Sequence, residues 1–162
     1  MMKLIVAVSA NWGIGKDGGL LFSIPKDMKF FRETTLGKVV ILGRKNLESF
    51  PGANPLKNRT NVILTRDSSF EKEGAVVCHS VGEVLNLPYD KEEMFVIGGE
   101  EIYRQMLDFC DTCYVTKVAE TADADRFMPN LDEMDEWEVE QRSGEIEDNG
   151  HIIEFFTYKR VK

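Results

Sequence analysis

Short runs of mostly apolar, often β-branched residues recur along the chain: Leu4 to Val8, Val39 to Leu42, Asn61 to Leu64, Ala75 to Val77, Met94 to Ile97 and Cys113 to Thr116. Continuous runs of this length, without polar alternation, read as strands buried on both faces, the habit of a mainly parallel sheet covered by helices. Helical signals lie between them. Pro25 to Thr34 opens with proline in the first turn and gathers Met28, Phe30 and Phe31 toward one side. Ser80 with Glu83 three residues on is a capping-box pattern leading into Val84, Leu85 and Leu87. A further helix is expected from Glu100 to about Leu107, with Ile102, Met106 and Leu107 toward the sheet. After Thr116 the rhythm changes: Trp137 to Arg142 and His151 to Arg160 alternate in polarity, and Asp148-Asn149-Gly150 is a turn sequence. The expected architecture is α/β: a mainly parallel sheet of about eight strands, an antiparallel C-terminal hairpin and about four flanking helices.

The 162 residues are 43% apolar, too many for disorder, and a chain of this length buries roughly 70% of its unfolded surface. With no repeat, low-complexity tract or linker, one domain over residues 1–162 is expected. Three irregularly spaced cysteines describe no disulfide framework, there is no charged leader with an apolar h-region, and no stretch approaches the roughly 20 apolar residues of a membrane span. These features suggest a cytoplasmic protein.

Charge sharpens the picture. The net charge of −8 hides a gradient: residues 1–66 carry 11 basic and 4 acidic side chains, whereas residues 67–162 carry 9 and 24. An acidic whole argues against general nucleic-acid binding. The positive segment suggests a compact anionic ligand instead.

Several constellations could carry chemistry. Residues Gly13 to Gly19 hold four glycines in seven positions after the first strand. A Rossmann turn would require a helix to follow, and none does before Pro25, so these glycines read as hinges of a long loop at the ligand-binding edge of the sheet. Asp27, in the first turn of an apolar helix, is either a helix-dipole acid or a carboxylate whose pKa an apolar pocket raises; the residues alone leave the two about even. Gly43-Arg44 and Gly98-Gly99-Glu100 mark two strand-to-helix junctions able to offer free N–H groups to phosphate, and Arg44, Lys45 and Arg66 add positive charge. A phosphorylated dinucleotide fits this pattern. Cys110 and Cys113 have CxxC spacing without a second ligand pair, so no metal site is expected and Cys113 reads as core. No Ser or Cys stands with a plausible His and acid, and Asp132 to Glu136 reads as a solvated loop.

The order of these features resembles the bacterial dihydrofolate reductases over essentially the whole chain. The resemblance is carried by Ile5-Val-Ala7, Ile14-Gly15, Ile24-Pro25-Lys-Asp27-Met28-Lys-Phe-Phe31, Val40-Ile-Leu-Gly43-Arg44, Glu48-Ser49, Arg59-Thr-Asn61, Val96-Ile97-Gly98-Gly99-x-x-Ile-Tyr103, Tyr114-Val-Thr116 and Asp125 ahead of Phe127 and Pro129. Each segment is common; their order and spacing together are specific. The resemblance implies reduction of 7,8-dihydrofolate by NADPH. In that reading Asp27, with Thr116, holds the pterin. Ile5, Met28, Phe31, Ser49, Phe50, Leu56, Ile97 and Tyr103 line the substrate pocket, and Arg59 pairs with the substrate's α-carboxylate. The cofactor falls to Ala7, Ile14, Gly15, Gly18, Gly19, Gly43, Arg44, Lys45, Asn46, Thr65, Arg66, His79, Gly98, Gly99, Glu100, Glu101 and Ile102. Within that set Arg44, Thr65 and Arg66 are assigned to the 2′-phosphate and His79 to the adenine edge. Folate analogues are implied as ligands, a monomer as the state.

Three departures stand out: Phe22 where many members carry tryptophan, Asn46-Leu47 in place of threonine and an aromatic, and an unusual Pro51 to Asn58 segment. A pyrimidine reductase of the same scaffold and a non-catalytic nucleotide-binding protein are the alternatives. The first would lack the Pro-x-Asp-x-x-x-Phe helix.

Overall fold

The computed structural model describes all 162 residues. Twelve strands and four α-helices follow in chain order: β1 (Met2–Val8), β2 (Gly13–Lys16), β3 (Gly19–Leu20), α1 (Pro25–Thr35), β4 (Val39–Gly43), α2 (Arg44–Glu48), β5 (Thr60–Leu64), β6 (Ala75–Cys78), α3 (Val81–Leu85), β7 (Met94–Gly98), α4 (Glu100–Met106), β8 (Cys110–Val118), β9 (Arg126–Phe127), β10 (Trp137–Arg142), β11 (Ile146–Asp148) and β12 (His151–Arg160). The main sheet runs β6-β5-β4-β7-β1-β8-β12-β10, parallel from β6 to β8 and antiparallel beyond. Every residue of β4 and β7 is buried, as their continuous apolar runs require. The sheet separates two apolar clusters. The larger includes Leu4, Val96, Met106, Trp137 and Tyr158; the other includes Ile5, Leu42, Ile63 and Ile97, with Phe31, Phe50 and Leu56 packed against it.

The helix signals hold in detail. Proline opens α1, and Ser80 caps α3 by accepting from Glu83 N at 3.1 Å. The Glu83 carboxylate accepts from His79 N, one residue beyond the Ser80 N–H that a full reciprocal box would use. Met28 departs from expectation: it is 59% exposed, whereas Phe30 is partly buried and packs on Phe155 at 4.9 Å between ring centroids.

Two regions differ from the sequence reading. The glycine-rich segment is not a plain loop: β2 and β3 form a hairpin through Asp17 (φ 50°) and Gly18 (φ 81°), and β9 adds a third strand. At the C-terminus, Asn149 (φ 51°) and Gly150 (φ 80°) make the expected turn, but the arm opposite β12 is broken into β10 and β11. Glu154 explains the break. Its carboxylate lies beneath the interruption, taking Arg142 Nε at 2.9 Å, Arg142 Nη2 at 3.1 Å and the Gly144 N–H at 3.1 Å.

All three cysteines are buried and free, and burial pushes the Cys110 thiol up to about 12. No helix is long and apolar enough to cross a membrane.

Candidate active site

The site forms where β1 and β7 part. Their pairing covers Lys3 with Phe95 and Leu4 with Val96, and the register of β7 against β4 slips at Ile97, freeing the Ile97 carbonyl. The Tyr103 hydroxyl, from α4, fills the opening between Ile5 O at 2.8 Å and Ile97 O at 2.9 Å. Diverging strand ends in an α/β sheet leave a crevice for ligands. Tyr103 is only 4% exposed, so its hydroxyl braces the floor of that crevice. Tyr103→Phe removes the one hydroxyl proton that the Ile5 and Ile97 carbonyls share; we expect a loss of about 1–3 kcal/mol of stability, measured by urea unfolding.

Asp27 and Thr116 meet across the crevice. They are 89 residues apart in sequence, yet Thr116 Oγ1 donates to Asp27 Oδ1 at 2.7 Å. The first turn of α1 presents the carboxylate, and β8 presents the threonine beside Ala7, its register partner on β1. Burial raises the pKa of Asp27, opposed by the Thr116 hydrogen bond. A carboxyl biased toward its protonated form and held by a hydroxyl can bind a ring that offers both a donor and an acceptor.

Around this pair, Ile5, Ile97, Phe31, Phe50 and Leu56 belong to one apolar cluster, with Met28 exposed at its margin. Arg59 stands at the end of α1. Its Nε donates to Thr35 Oγ1 at 2.8 Å, its Nη1 to Lys57 O at 2.9 Å, and its guanidinium carbon lies 5.9 Å from the Phe31 ring centroid. Asn61, which the sequence reading used only as part of a strand motif, holds this region together. Its buried side chain accepts from Leu56 N at 3.0 Å and donates to Leu56 O at 2.9 Å and Arg59 O at 3.2 Å. Ser49, expected at the substrate, donates to Asn46 O at 2.6 Å and so closes α2.

On the other side, α2 and α4 begin at Gly43 and Gly99 with no side-chain cap. A Cβ on Gly43 would come within 3.0 Å of Ile102 Cγ1, and one on Gly98 (φ 117°) within 3.2 Å of the Tyr103 ring, while one on Gly99 would meet nothing within 4 Å. The first two glycines therefore answer to packing, and Gly99 opens onto free space where backbone N–H groups are available to an anion. Buried Ile102 serves that packing and does not expose its side chain to a ligand. Arg44 and Asn46 lie on α2, with Asn46 Nδ2 reaching Ile97 O at 3.4 Å and Lys45 exposed. Thr65 and exposed Arg66 follow β5, and His79 Nδ1 lies 3.0 Å from Thr65 O.

The Glu100 carboxylate accepts from Phe127 N at 2.8 Å and ties α4 to β9, while Glu101 is exposed. The β2-β3 hairpin is fastened nearby. Asp125 N donates to Gly15 O at 2.9 Å, and Asp17 N to Asp125 Oδ2 at 3.1 Å. Ile14 packs on the main core, whereas Gly18 and Gly19 are exposed at the hairpin tip. Phe22 packs edge-on against His151 at 5.3 Å between ring centroids, and His151 meets Glu120.

A family model described as dihydrofolate reductase matches residues 1–160. The chain belongs to the dihydrofolate reductase family. Dihydrofolate reductase of Staphylococcus haemolyticus is 37% identical over 163 residues, covering 99% of this chain and 96% of that protein. The Bacillus subtilis dihydrofolate reductase is 35% identical over 162 residues, covering 99% and 95%. Among solved structures, Enterococcus faecalis dihydrofolate reductase complexed with NADP(H) and RAB-propyl superposes with a TM-score of 0.90 at 33% identity, covering 100% of this chain and 97% of that one. As a dihydrofolate reductase family member, the chain has its Asp27–Thr116 pair and its two uncapped helix starts on one crevice.

Proposed function

We propose that this protein reduces 7,8-dihydrofolate to 5,6,7,8-tetrahydrofolate with NADPH. The observation that carries the reading is the Asp27–Thr116 pair, a part-buried carboxyl of raised pKa beside an apolar wall of Ile5, Phe31, Phe50 and Leu56. The apolar wall takes the faces of the pterin and benzoyl rings. Asp27 binds the amino-pyrimidine edge, and Thr116, whose single proton goes to Asp27, keeps lone pairs free to accept from the pterin amino group. Holding that edge draws the pterin toward the tautomer and charge that favour protonation at N5, with water as the carrier. Arg59 takes the substrate's α-carboxylate.

The residues present fit NADPH, since open space beside Gly99, uncapped N–H groups and cationic side chains lie on one side of the crevice. Gly98, Gly99, Gly43 and Asn46 would hold the pyrophosphate region, Ala7 and Ile14 the nicotinamide carboxamide, and Arg44, Thr65 and Arg66 the 2′-phosphate. When bound, NADPH supplies the hydride that C6 of the pterin receives. The protein's part is orientation, electrostatics and exclusion of water. A single-domain, monomeric, cytoplasmic enzyme belongs to this reading.

The direct test is loss of NADPH absorbance on adding dihydrofolate to purified protein. No turnover above the background of a mock preparation would remove the proposal. Replacing both Arg44 and Arg66 by alanine is expected to weaken NADPH by about tenfold or more and NADH by much less, read by fluorescence titration, because an arginine gains little from a bare 2′-hydroxyl.

A further inference from the structure

On the phosphate side of the crevice Asp67 has the wrong sign for the ligand. Asp67 directly follows Thr65 and Arg66, and its Oδ2 accepts from Arg44 Nη1 at 2.8 Å. It is not a loose surface side chain. Its Oδ1 accepts from both the backbone N–H of Ser69 at 3.0 Å and the Ser69 hydroxyl at 2.6 Å, while its own N–H donates to Thr65 Oγ1 at 3.2 Å. These bonds fold residues 65–69 into a turn that aims the remaining carboxylate oxygen at Arg44. The hydrogen bonds from Ser69, and then Arg44, hold the Asp67 carboxyl below the usual range, so it stays ionised.

Arg44 is enclosed from its other directions too. Glu48 Oε2 lies 3.7 Å from its Nε, and the Phe70 ring centroid is 4.8 Å from its guanidinium carbon. Two carboxylates thus meet one arginine, whereas neighbouring Arg66 makes no ion pair.

We propose that Asp67 is a specificity-determining residue for the nucleotide: a resident carboxylate that competes with the 2′-phosphate for Arg44 and so moderates the preference for the phosphorylated cofactor. This inference rests on the reading of Arg44 as part of the 2′-phosphate site. A phosphate arriving there has to displace the carboxylate from Arg44, which weakens its binding. A cofactor with a hydroxyl at that position does not meet that cost, because it brings no charge. The same competition hastens release of the oxidised, phosphorylated cofactor after turnover.

Asp67→Asn tests the idea cleanly, because the amide keeps an oxygen for the Ser69 bonds and loses only the charge. Dissociation constants for NADPH and NADH are measured by fluorescence titration for wild type, Asp67→Asn, Arg44→Ala and the double variant. The expected result is NADPH binding tightened about fivefold in Asp67→Asn, because the phosphate no longer has to break a charge-assisted bond at Arg44. NADH affinity stays unchanged, and the gain disappears when Arg44 is alanine. If Asp67→Asn leaves NADPH affinity unchanged or lower while Arg44→Ala still weakens it, the competition is overturned and the phosphate site stands. Equal tightening of both cofactors also overturns it. If Arg44→Ala costs no NADPH affinity, the site reading itself fails and the inference with it. Asp67→Ser carries the same expectation should the asparagine variant not fold.

Discussion

Asp27→Asn lowers the rate of hydride transfer to dihydrofolate by about a hundredfold or more at neutral pH, the scale of a positioned general acid, and leaves the NADPH dissociation constant unchanged. Single-turnover kinetics give the first quantity and fluorescence titration the second; an equal loss in both would remove Asp27 from the chemistry. The asparagine still accepts from Thr116, so geometry survives and only the titrating group is lost. The wild-type rate is expected to fall as pH rises and Asp27 gives up its proton, and the variant's profile to be flat over the same interval.

The same carboxyl has a cost to the fold. Burial raises its pKa above the unfolded value, so the folded chain holds this proton more tightly. The stabilisation is fully present below the ordinary aspartate range and is lost as pH climbs through the raised value. Asp27→Asn should therefore melt above wild type at about pH 8 and show no such gain below about pH 4. Thermal melts at both pH values check this, and a variant less stable than wild type at the higher value would show that the ionised carboxylate is welcome in the fold.

Arg59→Leu raises KM for dihydrofolate by about 10- to 100-fold while kcat stays within about threefold, the signature of an interaction present equally in ground and transition states. Two of its donors are held by Thr35 and Lys57, leaving Nη2 free in a side chain already fixed in place. Burial, and then the charge of Arg32, lowers its pKa, but from so high a starting point that it remains cationic. Steady-state kinetics with dihydrofolate, and with a dihydropterin lacking the glutamate tail, decide the matter. The shorter substrate should not distinguish the variant from wild type.

What was legible in the sequence was whatever a short stretch determines by itself. The apolar runs of β4, β5 and β7 need burial on both faces, Ser80 and Glu83 spell a cap, and Asn149-Gly150 accepts positive φ. What was missed depends on partners far along the chain. Nothing in Gly13 to Leu20 shows that β9, more than a hundred residues on, will pair with it. Nothing around Glu100 shows that its carboxylate will accept from Phe127 N, and nothing around Tyr103 shows that the slip at Ile97 will place a carbonyl beside its hydroxyl. Nothing in the sequence around Asp67 points to its partner Arg44, one strand away. The segment of positive charge identified in the sequence is thus partly cancelled within the site itself.

The order of strands in the sheet also sets a timetable for the nascent chain. β1 lies between β7 and β8, so both of its edges are closed by strands made much later. At about 5–20 residues per second, Met2 to Val8 waits some 5 to 20 seconds, about ninety residues of synthesis, before its first neighbour emerges. During that interval an apolar strand with two open edges is kept out of solvent only by transient contacts or by chaperones. The centre of the finished sheet is completed only after the β4-β5-β6 edge has been made.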